Sequence, residues 1–239
     1  MSHFDEKYFE WQKEDGKFGA IANKYKFSHL IKKGFKVLDF GCGGGYLLNE
    51  FEDIEKYGVE INEVSIKECE KKNIKIFRKL SDLPDNYFDL IISHSTFQVV
   101  HNPLETFKIL HRSIKEYGKI CVVVPCDNIT NKFRFNDPDL ALYSFSPMNL
   151  GNILSVANFK VLESKPCINK WPPYYRVIQK LFGWNIFNLI SKIYGYIDNK
   201  WWSVKIIAEK DPNFKDTSSI KKKNIHIEHR INRKKSGLG

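Results

Sequence analysis

The chain has 239 residues, 42% hydrophobic and 28% charged, which suits one α/β domain with a sizeable core and a small appended cap. No apolar run approaches the roughly 20 residues needed to cross a bilayer, and the opening Met1-Ser2-His3-Phe4-Asp5-Glu6-Lys7 carries acids and no apolar stretch, so neither a membrane span nor a secretory leader is expected and the protein is placed in the cytoplasm. Of the net charge of +10, +6 falls in residues 212–239, so the basic excess marks a solvated tail more than a nucleic-acid-binding surface.

Five cysteines (Cys42, Cys69, Cys121, Cys126 and Cys167) are odd in number and lack a Cys-x-x-Cys pair. They read as reduced thiols, with neither a disulfide framework nor a metal site expected.

In chain order, residues 1–34 precede the first strand and are expected to form a helical cap over the open end of the sheet. Lys36-Val37-Leu38-Asp39-Phe40 reads as a buried strand, followed by a glycine run and a helix from Tyr46 to Phe51. Strand 57–60, a polar helix near 62–72, strand 74–77, strand 88–93, helix 103–115 and strand 118–124, stopped by Pro125, continue the rhythm. Helix 146–157, strand 159–164, an aromatic-rich insertion 165–200 and strand 201–208 complete it. Alternating strands and helices predict a Rossmann-like, largely parallel seven-stranded sheet with helices on both faces. The expected divisions are a cap at 1–34, a ligand-binding domain at 35–210 and a flexible basic tail at 211–239.

Ligands of such sheets lie beyond the carboxyl ends of the strands. There the first strand runs into Asp39-Phe40-Gly41-Cys42-Gly43-Gly44-Gly45, whose glycines turn tightly and present no Cβ to a ligand. A dinucleotide site needs Gly-x-Gly-x-x-Gly, with its pyrophosphate on the helix N-terminus. Here Tyr46 holds the third glycine's place, and the Asp39 carboxylate repels a pyrophosphate. The same carboxylate can hold the α-ammonium of S-adenosylmethionine (SAM), which has no phosphate. Glu60, 19 residues after Gly41, can accept from both hydroxyls of a ribose. That feature alone also suits NAD, so the discrimination rests on Asp39 and Tyr46.

Val37-Leu38-Asp39-Phe40-Gly41-Cys42-Gly43-Gly44-Gly45 resembles motif I of class I SAM-dependent methyltransferases. The resemblance extends to about residue 210. Within the superfamily the chain is similar to a bacterial set of methyltransferase-domain proteins, many associated with surface polysaccharide or small-metabolite pathways. Tyr8-Phe9-Glu10-Trp11-Gln12, Asp89-Leu90-Ile91-Ile92-Ser93, Tyr143-Ser144-Phe145-Ser146-Pro147-Met148-Asn149-Leu150-Gly151-Asn152 and Trp171-Pro172-Pro173 carry that narrower likeness. The resemblance implies that Gly41 and Gly43, with Cys42 between them, pack on the methionine part of SAM. It implies that Glu60 and the adjoining Ile61 hold the ribose side, and that Lys79, Leu80 and Ser81 flank adenine, with Asp82 displaced from the usual acidic cap. Ser93 completes the cofactor set, and Tyr8 and Trp11 close over it or simply pack the N-terminal helix.

Methyl transfer is an in-line displacement, so the protein chiefly aligns the acceptor and excludes water, adding a base for an alcohol or amine. Those groups belong just after the fourth strand, in Ser93-His94-Ser95-Thr96-Phe97-Gln98-Val99-Val100-His101-Asn102-Pro103. Relatives often read Leu-Glu-His-Val there; this chain has Phe97-Gln98-Val99-Val100, and Ala141 replaces a second familiar histidine. His94 and His101 are the substitute candidates. Asn102-Pro103 marks a helix start, with Asn as N-cap and Pro first in the helix. The two histidines have no evident third ligand, so no metal site is expected.

The insertion around Trp171-Pro172-Pro173-Tyr174-Tyr175 reads as a cap packed on the sheet, a substrate lid or a homodimer surface. Trp171-Pro172-Pro173-Tyr174 and Pro125-Cys126 echo nucleic-acid methyltransferase motifs, but both are misplaced. The expectation is a SAM-dependent methyltransferase acting on a hydroxyl or amine of a small polar metabolite, such as a sugar or nucleotide-sugar. A non-catalytic SAM-binding protein and an RNA or DNA methyltransferase stand as alternatives.

Overall fold

The computed structural model describes residues 6–128, 130–133, 135, 140–198 and 200–214, and their side chains apart from those of 6–12 and Trp201. Nearly all of the expected basic tail falls outside the described residues. Two helices, α1 (Glu6–Asn23) and α2 (Tyr25–Ser28), lead into β1 (Lys36–Phe40), α3 (Tyr46–Asn49), β2 (Glu55–Val59), α4 (Glu63–Glu70) and β3 (Lys75–Phe77). Then come β4 (Phe88–His94), α5 (Pro103–Ser113), β5 (Ile114–Asp127), α6 (Pro147–Val156), β6 (Lys160–Cys167), α7 (Tyr175–Ile197) and β7 (Trp201–Glu209).

The strands form one sheet in the order β3-β2-β1-β4-β5-β7-β6. The first five in that order run parallel to one another, whereas β7 runs antiparallel to both β5 and β6. The largely parallel seven-stranded sheet of the sequence reading is therefore present.

Side-chain alternation divides the core between two faces. Leu38, Phe40, Ile91, Ile120, Val122 and Val124 point to the face packed by Phe107 and Leu110 of α5 and Leu150 and Leu154 of α6. Val37, Leu90, Ile92, Cys121 and Val123 point to the other, which takes Ala20 of α1, Phe27 of α2 and Leu47 and Leu48 of α3. By this parity Asp39 and His94 belong to the side covered by α1 and α2, the expected N-terminal cap.

Local chemistry fixes the helix starts. Asn62 Oδ1 accepts from the Val64 and Ser65 amides at α4, and Asn102 Oδ1 accepts from Glu105 N ahead of Pro103 at α5. Ser146 and Asn149 form a reciprocal capping box at α6.

Several boundaries differ from the sequence reading. α3 stops at Asn49 because Glu50 N and Phe51 N donate to the carbonyls of Leu47 and Leu48, tightening the last turn. β5 runs through Pro125 to Asp127: its pairing with β4 ends at His94↔Val123, and beyond that point it is bordered by β7. Pro125 stays aligned with Ser203 of β7, but β4 no longer borders it on the other side, where a missing N–H is tolerated. β6 extends to Cys167, so the insertion begins three residues later than expected, and α7 is interrupted at Gly183, whose φ is +72°.

Candidate cofactor and acceptor site

The turn after β1 is built on backbone contacts. Gly41 N and Cys42 N both donate to Val59 O at the end of β2 (3.0 and 3.2 Å). Gly41 has φ of +74°, and a Cβ there would stand well inside contact distance of the Thr96 side chain. Thr96 Oγ1 in turn donates to Gly41 O at 3.4 Å and to His94 O at 3.3 Å, so the segment after β4 folds back over the turn. Gly43, with φ of +52°, has open space where its Cβ would be. Of the two glycines, Gly41 is closed by protein and Gly43 opens outward.

Glu60 follows β2 and organises the neighbouring backbone. Its Oε2 accepts from Gly43 N at 2.8 Å, and its Oε1 accepts from Ile61 N at 2.8 Å and Asn62 N at 2.9 Å. Of about four lone-pair positions on a carboxylate, three are thus engaged, leaving one on Oε2 facing the turn.

Asp39 lies at the same strand end, 3% exposed, and no hydrogen bond or ion pair reaches its carboxyl group among the described residues. Burial, reinforced by the nearby negative charge of Glu60, pushes its pKa up to about 8. An acid in that position calls for a cation, and the structure supplies none from its own described residues.

The remaining candidates fall into distinct settings. Cys42 is buried, with its thiol 3.8 Å from that of Cys69, which donates to Gly43 O at 3.1 Å. Ile61 is 67% exposed, unusual for an isoleucine beside a structured carboxylate. Leu80 opens a single 3₁₀ turn, Leu80–Asp82, and packs at the margin of the core. Ser93 is fully buried and donates to Phe40 O at 2.9 Å, stitching β4 to β1. The side chains of Tyr8 and Trp11 lie outside the described residues, although both positions are on α1. Tyr46 starts α3, and its ring packs between Gly44 and Gly16 of α1.

His94 ends β4 and is held at both ring nitrogens: Nε2 lies 3.3 Å from Lys26 Nζ, and Nδ1 lies 3.2 Å from Ser95 Oγ. Burial, together with the adjacent Lys26 charge, holds its pKa well below the usual histidine value, so the ring is neutral. The sequence reading did not single out Lys26; one lysine in a four-residue helix, between Tyr25 and Phe27, gives no periodic signal of a ligand role. His101 is exposed, and its carbonyl accepts from Tyr143 Oη at 2.9 Å. The structure thus gathers Asp39, Gly41, Gly43, Glu60 and His94 around the ends of β1, β2 and β4, and leaves the His101 side chain facing solvent. Among the described residues no cluster of three or more metal-ligating side chains is present, and no helix is long and apolar enough to cross a membrane.

Comparison with known proteins agrees with this arrangement. Residues 22–131 match the family model of the methionine biosynthesis protein MetW. An uncharacterised protein of Methanocaldococcus jannaschii is 29% identical over 170 residues, which are 63% of this chain and 74% of that one. Phosphoethanolamine N-methyltransferase 3 of Arabidopsis thaliana is 25% identical over 148 residues, 52% of this chain and 28% of the plant protein. Among solved structures, a SAM-dependent methyltransferase of Archaeoglobus fulgidus superposes with a TM-score of 0.62 at 22% identity, covering 85% of this chain and 99% of that one. The chain therefore has the Rossmann-like fold of SAM-dependent methyltransferases, and within residues 22–131 it is similar to the MetW family.

Proposed function

We propose that the chain moves the methyl group of SAM to a hydroxyl or amine of a small polar metabolite, with sugars and nucleotide-sugars the first acceptors to test. The observation that carries this reading is the pairing of an unpartnered buried acid, Asp39, with a turn whose open glycine, Gly43, is tied to Glu60. An ammonium fits the first, ribose hydroxyls fit the second, and the open Gly43 leaves room for backbone approach.

In this reading Asp39 binds the α-ammonium, Glu60 accepts from the ribose, and Gly41, Cys42 and Gly43 lie along the methionine chain. Ile61 and Leu80 supply apolar contacts for the adenine side, which accounts for the exposure of Ile61. Tyr8, Trp11 and Ser93 remain proposed supports of the pocket. Bound SAM supplies an electrophilic methyl on a sulfonium. The chain's part is to align the acceptor at the end of β4, exclude water through the α1 and α2 cap, and offer neutral His94 as the group that takes or orients a proton. Two named relatives bear on acceptor size: the plant protein is a phosphoethanolamine N-methyltransferase, and a structure of similar fold is phosphoethanolamine N-methyltransferase 2 of Haemonchus contortus. Both names point to small polar amines. A small-molecule acceptor, and not nucleic acid, also suits the spread of charge along the sequence.

The test is calorimetric titration of SAM and S-adenosylhomocysteine into the wild type and Glu60→Ala, followed by an acceptor screen. Binding to the wild type that weakens in the variant supports the reading. Absence of binding to the wild type overturns it.

A further inference from the structure

Lys26 is 5% exposed, yet its amine is barely satisfied. The contact with His94 Nε2 is its one hydrogen bond among the described residues, and no carboxylate pairs with it. An ammonium has three donors and no acceptor, so a protonated Lys26 leaves two N–H groups without a partner in a buried place. Leaving a buried charge unpaired is strongly unfavourable. The titratable groups acting on it from the sheet are Cys121 on β5, Cys167 on β6 and Lys205 on β7. Just past the end of its own helix lies His29, whose Nε2 is 3.3 Å from Lys205 Nζ. Burial, reinforced by the Lys205 charge, holds the Lys26 pKa below the usual lysine value, and no carboxylate among the described residues stands against it to offset that.

A second unmatched group lies on the segment that follows His94. Gln98 is 7% exposed; its Nε2 donates to Ser95 O at 2.7 Å, while its Oε1 has no donor among the described residues. Both leftovers border the end of β4, where a methyl acceptor is aligned. One lacks acceptors, the other lacks a donor.

Resting on the methyltransferase reading, we propose that Lys26 is the subsite for an anionic group, a phosphate or a carboxylate, of the methyl acceptor. Two oxygens of such a group match the two unmatched N–H donors, and an N–H or O–H of the same molecule matches Gln98 Oε1. Engagement of Lys26 by the anion also loosens its hold on His94 Nε2, so the lone pair needed to take a proton is released only when the right acceptor is seated. The acceptor class narrows to phosphorylated or carboxylated amines and alcohols.

The experiment is thermal unfolding of the wild type, Lys26→Met and Lys26→Gln with S-adenosylhomocysteine, adding inorganic phosphate, acetate, phosphoethanolamine or ethanolamine. At about ten times its dissociation constant an anion should raise the wild-type midpoint by roughly 3–6 °C and leave both variants unmoved. Phosphate against acetate distinguishes the two anion types, and ethanolamine is the control without an anion. Equal shifts in wild type and variants, or no shift of the wild type with any anion, overturn the proposal. The shift caused by S-adenosylhomocysteine alone reads cofactor binding separately: its absence would sink the methyltransferase reading, while the anion arm would still report on Lys26.

Discussion

Glu60 Oε2 accepts the Gly43 amide at 2.8 Å, so the acid that marks the end of β2 also sets the shape of the glycine turn after β1. The two roles compete for one oxygen. Oε1 is already occupied by Ile61 N and Asn62 N, so two ribose hydroxyls can be accepted only if the Gly43 contact lengthens or is shared. Glu60→Ala removes the ribose acceptor and frees the turn, and should weaken SAM by roughly 10- to 100-fold, the range for hydrogen bonds to a charged group. Glu60→Gln keeps one acceptor oxygen and should fall between. Calorimetry on the three proteins checks the order.

Asp39 predicts a pH dependence. In the free protein the carboxyl stays protonated up to about pH 8, whereas the unfolded chain ionises near pH 4. The folded state therefore holds one more proton between those values, and stability should fall as pH rises from 4 to 8. Asp39→Asn removes that slope and should raise the unfolding midpoint near pH 7. Binding of a ligand ammonium favours the ionised acid, so SAM binding below pH 8 should release a proton and tighten as pH rises towards 8. Titration heats in buffers of different ionisation enthalpy measure that proton; no buffer dependence would count against the ammonium contact.

Gly41 and Gly34 separate two costs of a positive φ. Both have φ above +70°, but a Cβ at Gly34 meets nothing within 4 Å, whereas one at Gly41 runs into Thr96. Gly34→Ala should cost about 1 kcal/mol from backbone conformation alone. Gly41→Ala should cost more, about 2–3 kcal/mol, and should also displace the segment after β4. Chemical denaturation gives both values. Gly41→Ala together with Thr96→Ala should recover part of the loss, because both the methyl and the hydroxyl that crowd the new Cβ are gone.

How much of this was legible in the sequence depends on the range of the interaction. The succession of strands and helices along the chain and the first turn follow from local patterns: apolar runs such as Val37-Leu38, then glycines, then an acid at a fixed distance. Asn102 and Ser146 likewise announce their helices, since a cap acts within four residues. Lys26 could not be read this way. Its meaning lies in a contact with a residue 68 positions away and in the absence of a neighbouring acid, both products of packing. Pro125 misled because its cost depends on whether a partner strand waits for its N–H, which sequence does not say. The departures at Gln98 and Val99 were visible, but that Gln98 keeps an unmatched oxygen required its buried setting.

The two histidines should separate in kinetics once an acceptor is found. His94 ends β4 beside the turn, whereas the His101 side chain is exposed. His94→Ala should lower turnover by about 10²–10⁴-fold with SAM affinity nearly unchanged, and His101→Ala should leave turnover close to wild type. Full turnover by both variants would remove histidine as the base.

His111 gives a last expectation, on stability alone. Its ring meets Phe159 edge to face at 4.8 Å on the α5 face of the sheet, and burial, helped by the charge of Lys210, lowers its pKa to about 4. The folded state therefore keeps His111 neutral where the unfolded chain protonates it, near pH 6.5. Stability from this group is complete above about pH 6.5 and is lost as pH falls from there towards 4. The direction is opposite to that of Asp39, so the two effects offset each other between about pH 4 and 6.5, and the fall in stability due to Asp39 shows only above that range. His111→Leu keeps the apolar contact with Phe159 without the titration, and should leave the Asp39 slope unopposed, so that stability rises as pH falls from about 6.5 towards 4. Unfolding midpoints of wild type and variant between pH 7 and pH 4 decide it: parallel curves would mean that burial of this ring contributes nothing to acid sensitivity.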